Sequence, residues 1–224
     1  MKRYRKRFMN LKEFVKKYGE PYSKQLGIKL EYGNDEEITK WFLAAMLYSK
    51  PIRESSATDT YKCFEKYNVL TADQVLRKGW ERIVSILDEG GYTRYDFSTA
   101  DKLLEVFRSL KRDYGGKLSD LYEKAKDGKD LEERLKALGK GIGETTISIF
   151  LRDMREVWSK ANPTPSSLVR MAMQRLGIKD LQKIAKLECV SVVNLETALL
   201  RLAKDFLKKR KDIQIVISKN KEPA

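Results

Sequence analysis

Apolar residues recur at helical spacing along most of the chain. The clearest stripe occupies positions i, i+3, i+4, i+7 and i+11 of one predicted helix, at Ile147, Phe150, Leu151, Met154 and Trp158. The same period predicts helices through Trp41–Met46, opened by Asn34–Glu37; through Leu103–Leu110, after a capping box at Ser98–Asp101; and through Leu195–Phe206. Such stripes usually form core, and we expect these residues to be buried.

Turn-forming segments rich in glycine and proline separate the predicted helices by short connections. Only Ile213–Ser218 resembles a strand, and it stands alone near the C terminus. The pattern therefore predicts an all-α protein of many helices, neither a four-helix bundle nor an α/β fold. A length of 224 residues allows one large domain or two small lobes.

The formal charge of +14 favours a polyanionic partner, such as nucleic acid, an acidic protein or an anionic membrane surface. The alternative is a charged surface that only maintains solubility. Lys2–Arg7 and Lys208–Lys211 are basic runs that could contact phosphates or form solvated tails. Abundant Lys, Arg and Glu without His also suits a thermophile.

The absence of histidine removes several kinds of chemistry. With only Cys63 and Cys189 beside it, the chain can form neither a Cys/His zinc site nor a Ser-His-Asp triad. Any catalysis must use carboxylates, lysines, hydroxyls or backbone amides. We interpret the two cysteines as small apolar core residues. No apolar run reaches the roughly 18 residues of a membrane span, and no signal peptide is predicted, so we expect a cytoplasmic protein without a membrane partner.

The most informative segment is Leu135–Phe150, where a helix is predicted to end at Leu138 and a glycine-rich turn follows. Gly141 and Gly143 can take positive φ and let the backbone approach a ligand closely. Ile142 between them is predicted to plug the junction of the two helices.

The next helix begins near Thr145, so its free backbone amides would face outward, where a phosphate can accept them. Lys140 is most simply a phosphate contact. Such a turn reads the DNA backbone without reading the bases. The alternative interpretation is an ordinary glycine C-cap between two helices.

Gly141–Gly143, followed by Thr146 and an apolar helix, resembles the hairpin of the endonuclease III-like helix-hairpin-helix DNA glycosylase superfamily. Ser167–Met171 and Arg175–Gly177 resemble the family's next helix. Trp41–Lys50 is similar to its early helix, whose end places a residue near the flipped base. The resemblance covers about residues 36 to 178, although each motif is short.

The resemblance implies a two-lobed fold. A barrel of about six helices would span 36–158 with the hairpin at 139–143, and a second helical lobe would combine 1–35 and 159–224. It also implies a base-excision-repair enzyme that acts on double-stranded, damaged DNA. The residues expected to contact DNA are Lys140, Gly141, Ile142, Gly143, Thr145, Thr146 and Lys50. A solvated lysine is the alternative for Lys50.

The sequence departs from the family at both catalytic positions. Thr145 stands where the family has its lysine, which argues against efficient lyase activity. The aspartate's position falls at Thr164 or Pro165, which instead suit the N-cap and first position of a helix. Asp153 is the candidate replacement acid, with Glu144 and Glu156 behind it. The simpler interpretation of Asp153 is that it pairs with neighbouring arginines or is solvated.

Three functions follow as hypotheses. The first is a DNA glycosylase with weak or absent lyase activity, acting on a damaged or mismatched base. The alternative is a non-catalytic protein that kept the glycosylase scaffold and only binds DNA. The third is an interaction module for an acidic protein. We expect no iron–sulfur cluster, because only Cys189 lies in the appropriate region. The remaining cofactor candidate is a monovalent cation at the hairpin, and we expect a monomer that associates with the nucleoid when DNA-bound.

Overall fold

A computed structural model describes residues 8–210 and 213–217 and shows a mostly helical chain, which confirms the all-α class. The α-helices are, in chain order, α1 (Leu11–Tyr18), α2 (Tyr22–Gln25), α3 (Asp35–Tyr48), α4 (Glu54–Lys66), α5 (Ala72–Glu89), α6 (Asp96–Tyr114), α7 (Leu118–Lys124), α8 (Gly128–Ala137), α9 (Glu144–Met154), α10 (Ser167–Leu176), α11 (Leu181–Glu188) and α12 (Val192–Arg201). A 3₁₀ turn covers Leu30–Tyr32, and a π-helical segment continues α12 over Leu202–Leu207.

Side-chain caps explain where several helices begin. The Asn34 side chain accepts the Glu37 amide at 2.9 Å, which confirms the predicted start of α3. Thr71 and Gln74 form a reciprocal capping box at the start of α5. The start of α10 differs from the prediction: Ser166, two residues after Thr164, accepts the Val169 amide, because a serine hydroxyl is available one residue before the first helical turn.

Two other predicted boundaries were wrong. The segment Ser98–Asp101 is no capping box, because α6 already begins at Asp96 and these residues lie inside it. The helix after the hairpin ends at Met154, before Trp158. The Trp158 amide still donates to the Met154 carbonyl at 2.8 Å, so the chain continues as a turn that keeps Trp158 buried.

The chain divides into two compact units, one comprising Leu26–Pro163 and the other Met1–Gln25 with Thr164–Ala224. The first unit has an aromatic-rich core that includes Trp41, Phe42, Phe64, Phe107 and Phe150, all almost fully buried. The predicted stripe after the hairpin is part of it. The second unit has its own core, which includes Leu11, Phe14, Leu195, Leu199 and Leu202. Burial of such side chains is the main stabilising term in each unit.

The second unit also contains a small parallel sheet. Strand β1 (Phe8–Asn10) pairs with β2 (Gln214–Val216), with Met9 opposite Ile215. The predicted C-terminal strand is therefore present, but it does not stand alone. The partner strand β1 has only three residues, which is too short to show a recognisable alternation of apolar and polar positions. The basic run Lys2–Arg7, Lys211 of the other run, and Ser218 lie outside the described residues.

The interpretation of the cysteines as core residues was wrong. Cys63 is only half-buried, and Cys189 is exposed. Cys189 forms the C-cap of α11 with a φ of 51°, a left-handed conformation that ends the helix at the surface. Within the described residues, none of the helices combines the length and apolar character that crossing a membrane requires.

Candidate functional site

The predicted hairpin lies between α8 and α9, in the unit Leu26–Pro163. A tight turn is closed by the Ile142 amide, which donates to the Gly139 carbonyl at 3.0 Å. The Ile142 side chain is buried beneath the turn, as a plug would be. The Thr146 hydroxyl donates to the Gly141 carbonyl at 3.3 Å, so Thr146 fixes the turn from inside α9. Buried Thr146 therefore supports the hairpin rather than facing solvent.

The hairpin glycines have a different role from the one predicted. Positive φ occurs at seven described glycines, and neither Gly141 nor Gly143 is among them. At Gly141 an added Cβ would lie 3.0 Å from the Lys102 Cβ and 3.2 Å from the Met46 Cε. At Gly139 it would lie 3.1 Å from the Glu105 side chain. The turn is therefore closely packed against α6 and α3, so a larger side chain at either position would require its neighbours to shift.

Gly143 is the exposed N-cap of α9, and it offers no side chain to the first amides of the helix. A Cβ added there would meet open space. Glu144 and Thr145 in the first turn are also exposed. The positive end of the α9 dipole thus faces solvent beside amides that need an acceptor.

Charged side chains surround this helix start. Lys140 is exposed in the turn, and among the described residues it has no hydrogen-bond or ion-pair partner. The Glu144 carboxylate contacts the Lys136 ammonium of α8, so its negative charge is balanced locally. That contact raises the pKa of Lys136, because the carboxylate stabilises the ammonium form. The exposed turn is therefore left with the uncompensated charge of Lys140.

Lys50 lies two residues beyond the end of α3 and is half-buried. Burial and the neighbouring Lys102 ammonium, which lies within side-chain hydrogen-bonding reach, lower the pKa of Lys50 to about 8. Lys102 and Met46 are also the side chains that Gly141 packs against. Lys50 therefore lies close to the hairpin, because Lys102 of α6 neighbours both Lys50 and Gly141.

Asp153 is not placed as a substrate-contacting acid. Its side chain is fully buried, and it accepts a 2.8 Å ion-pair hydrogen bond from the Arg152 Nε. The predicted alternative, pairing with a neighbouring arginine, is confirmed. The Asp153 carboxylate is therefore closed off from solvent in this structure. The other two acidic candidates, Glu144 and Glu156, are exposed.

One surface feature of this unit was missed by sequence reasoning. Helix α5 is kinked at Gly79, which has φ 72° and ψ 174°, and the next residue, Trp80, is exposed. The Trp80 indole packs on exposed Phe97 at a ring separation of 5.3 Å and donates to Asp101 at 2.8 Å. A glycine inside a helical pattern was the available signal. A nearby cavity of about 380 Å³ is lined by Tyr67, Asn68, Gln74, Arg77 and Lys78.

No family model matches the chain, and the searches of curated proteins and of solved structures also gave no match. Within the described residues, no group of three or more Cys, Asp or Glu side chains is arranged to hold a metal ion. Three features of this unit bear on its function: the hairpin, the lysine pair and the exposed aromatic pair.

Proposed function

We propose that this protein binds double-stranded DNA through the phosphate backbone and that the hairpin 139–143 is its principal contact. The observation that carries the proposal is the start of α9, where an exposed glycine N-cap leaves the first amides without a side-chain acceptor. A phosphate oxygen is a suitable acceptor for these amides, and the helix dipole favours its charge. Lys140 would add a charged contact from the turn itself.

The net charge of +14 supports the same ligand, because a large positive field attracts a polyanion and accelerates its association. Contacts of this kind position a protein on the duplex without reading sequence. Gly141, Ile142 and Thr146 would serve indirectly, since they hold the turn against α3 and α6. Thr145, exposed in the first turn of α9, would contact the same phosphate.

Base excision is the second candidate function. It rests on the resemblance to the endonuclease III-like family and on one feature of the structure, the position of Lys50 beside the hairpin. In this family the corresponding residue reaches the flipped base. The Asp153 carboxylate is buried and ion-paired with Arg152, so it is not exposed to a substrate, and simple DNA binding is the better supported function.

The binding proposal is tested by measuring duplex affinity at several salt concentrations. We expect affinity to fall steeply with salt, because each phosphate contact releases condensed counterions. Lys140→Glu should weaken binding about tenfold or more and reduce the salt slope. Lys129→Glu is the matched control, since Lys129 is an exposed lysine on α8 in the same unit. Equal affinities for the two variants would refute the hairpin contact. A protein that prefers an acidic polypeptide over duplex DNA would support an interaction module instead.

Base excision is tested by single-turnover base release from duplexes carrying oxidised, alkylated, deaminated or mismatched bases, with abasic sites revealed by alkali. Release from one lesion would establish a glycosylase and direct attention to Glu144 and Glu156. Salt-sensitive binding without release from any duplex would establish a protein that works by binding alone.

A further inference from the structure

The strongest unassigned feature of the molecule is the pair of lysines that meets the hairpin. We propose that Lys50 and Lys102 form a clamp for one DNA phosphodiester, and that the protein takes up a proton when the clamp closes on it. The proposal rests on the DNA binding proposed above and adds a second phosphate site with its own pH dependence.

The clamp is assembled from three chain segments. Lys50 follows the end of α3, four residues after Met46 in the sequence, and Lys102 lies in the first half of α6. The hairpin closes the site from a third side, because Gly141 packs directly on Met46 and on the Lys102 Cβ. The Lys102 stem is thus held between α6 and the turn. Lys102 lies within side-chain hydrogen-bonding reach of Lys50, and its packed stem distinguishes the pair from two lysines on an open surface.

The charges around the pair leave it uncompensated. Neither Lys50 nor Lys102 has an ion-pair partner among the residues that the structure describes. The α6 carboxylates that flank Lys102 in the sequence have other neighbours: Asp101 accepts a hydrogen bond from the Trp80 indole N–H, and the Glu105 side chain packs at Gly139. Two convergent cations without an acid are a poor arrangement for an isolated protein and a suitable one for an anion.

Proton uptake follows from this arrangement. In the free protein, burial and Lys102 lower the pKa of Lys50 to about 8, so near pH 8 half of the molecules hold a neutral amine there. A phosphate placed between the two nitrogens favours the ammonium form and returns the pKa of Lys50 towards its ordinary value near 10.5. Binding therefore captures up to one proton when the solution pH lies between the free-state and the bound-state pKa of Lys50.

The sign of the pH effect is then fixed. Affinity should be greatest below pH 8, where Lys50 is already protonated in the free protein. It should fall about tenfold between pH 7 and pH 9, as binding must increasingly supply a proton. The measurement is duplex affinity for the full chain at constant ionic strength across this range, with an undamaged oligonucleotide duplex as the probe.

Two substitutions isolate the pair from other groups, since α-amino groups and thiols also titrate between pH 7 and pH 9. Lys50→Arg keeps a permanent charge and should bind with nearly constant affinity from pH 7 to pH 9. Lys102→Met removes the repulsion on Lys50 but leaves its burial, so it should reduce the pH dependence without abolishing it, with affinity several-fold weaker at pH 7. Lys129→Met, at an exposed position in the first turn of α8, should retain the full wild-type pH profile.

Each outcome has a definite meaning. Wild-type binding that is salt-sensitive but constant from pH 7 to pH 9 would refute the clamp and leave the hairpin proposal standing. A tenfold fall that persists in Lys50→Arg would assign the proton to another group and also refute it. If the wild-type chain fails to bind duplex DNA at pH 7 in low salt, the proposed function itself is wrong, and the clamp fails with it.

Discussion

The indole N–H of Trp41 in α3 donates a 3.0 Å hydrogen bond to the main-chain carbonyl of Phe150 in α9. Both residues are fully buried, and the ring of Phe150 packs edge-on against Phe42 at a centroid separation of 5.1 Å. The bond connects the helix that ends near Lys50 to the helix that the hairpin opens. The candidate phosphate contacts are therefore fixed to one core by a directional polar contact as well as by apolar packing.

We predict that Trp41→Phe destabilises the protein by about 2–3 kcal/mol, because it removes a buried hydrogen bond and leaves a partly filled cavity. Urea unfolding followed by circular dichroism measures the effect. Trp80→Phe is the control: Trp80 also donates a hydrogen bond, but it is 40% exposed. We expect that change to cost less than about 1 kcal/mol. Equal losses in the two variants would contradict the structural role of Trp41.

Local signals predicted much of the fold. Alternation at the helical period and short polar starts depend only on residues within a few positions of each other, so the stripe at Ile147–Met154 and the cap at Asn34 were both readable. The prediction at Ser98–Asp101 was wrong because α6 already begins at Asp96. Asp101 resembled part of a cap, but its carboxylate accepts a hydrogen bond from the indole N–H of Trp80, 21 residues earlier in the chain.

The candidate site was predictable only in part, because its contacts join residues that are distant in the sequence. The hairpin was visible as a glycine-rich turn, but the reason for Gly141 is its contact with Met46 and Lys102, on two other helices. The pairing of Lys50 with Lys102 likewise joins residues that are far apart in sequence. No spacing rule brings such residues together, so only the packed structure identifies the pair.

We predict that substitutions at two neighbouring glycines differ in their effect on stability. Gly141→Ala places a methyl group 3.0 Å from the Lys102 Cβ and should cost about 1–3 kcal/mol through overpacking, with weaker DNA binding as the turn shifts. Gly143→Ala places its methyl group in open space at a φ of −101° and should leave stability within about 1 kcal/mol of wild type. Thermal unfolding compares the two. Greater damage from Gly143→Ala would show that the turn is not packed as described.

We predict that the main effect of Asp153→Asn is to lower the free energy of unfolding. Removing the carboxylate charge that pairs with the buried Arg152 guanidinium is expected to cost about 3 kcal/mol, because the ionic hydrogen bond between them is lost in a buried environment. The control is Asp73→Asn, which breaks an exposed pair with Lys111 and should cost about 0.5 kcal/mol. A fully stable Asp153→Asn protein that has lost base release would return Asp153 to the catalytic candidates.

Removing the cation at Lys50 should stabilise the protein at neutral pH. The pKa of Lys50 is about 8 in the folded chain and near 10.5 in the unfolded chain, so between these values the unfolded state binds more protons. The cost of holding the ammonium is complete below pH 8 and disappears as pH rises to 10.5. Lys50→Met should therefore be about 1 kcal/mol more stable at pH 7, a discounted value because solvent screens a half-exposed amine.

This last effect is tested by how the stability difference between Lys50→Met and wild type changes with pH. Denaturant unfolding of Lys50→Met and wild type should give a stability difference that shrinks steadily from pH 8 to pH 10, whatever constant contribution the methionine side chain makes by packing. Lys129→Met, at an exposed position on α8, should show no such trend. A constant difference for Lys50→Met would mean that neither burial nor Lys102 lowers the pKa of Lys50 in the free protein. The lowered pKa is what a bound phosphate would reverse, so this experiment on the free protein tests the premise of proton uptake without DNA.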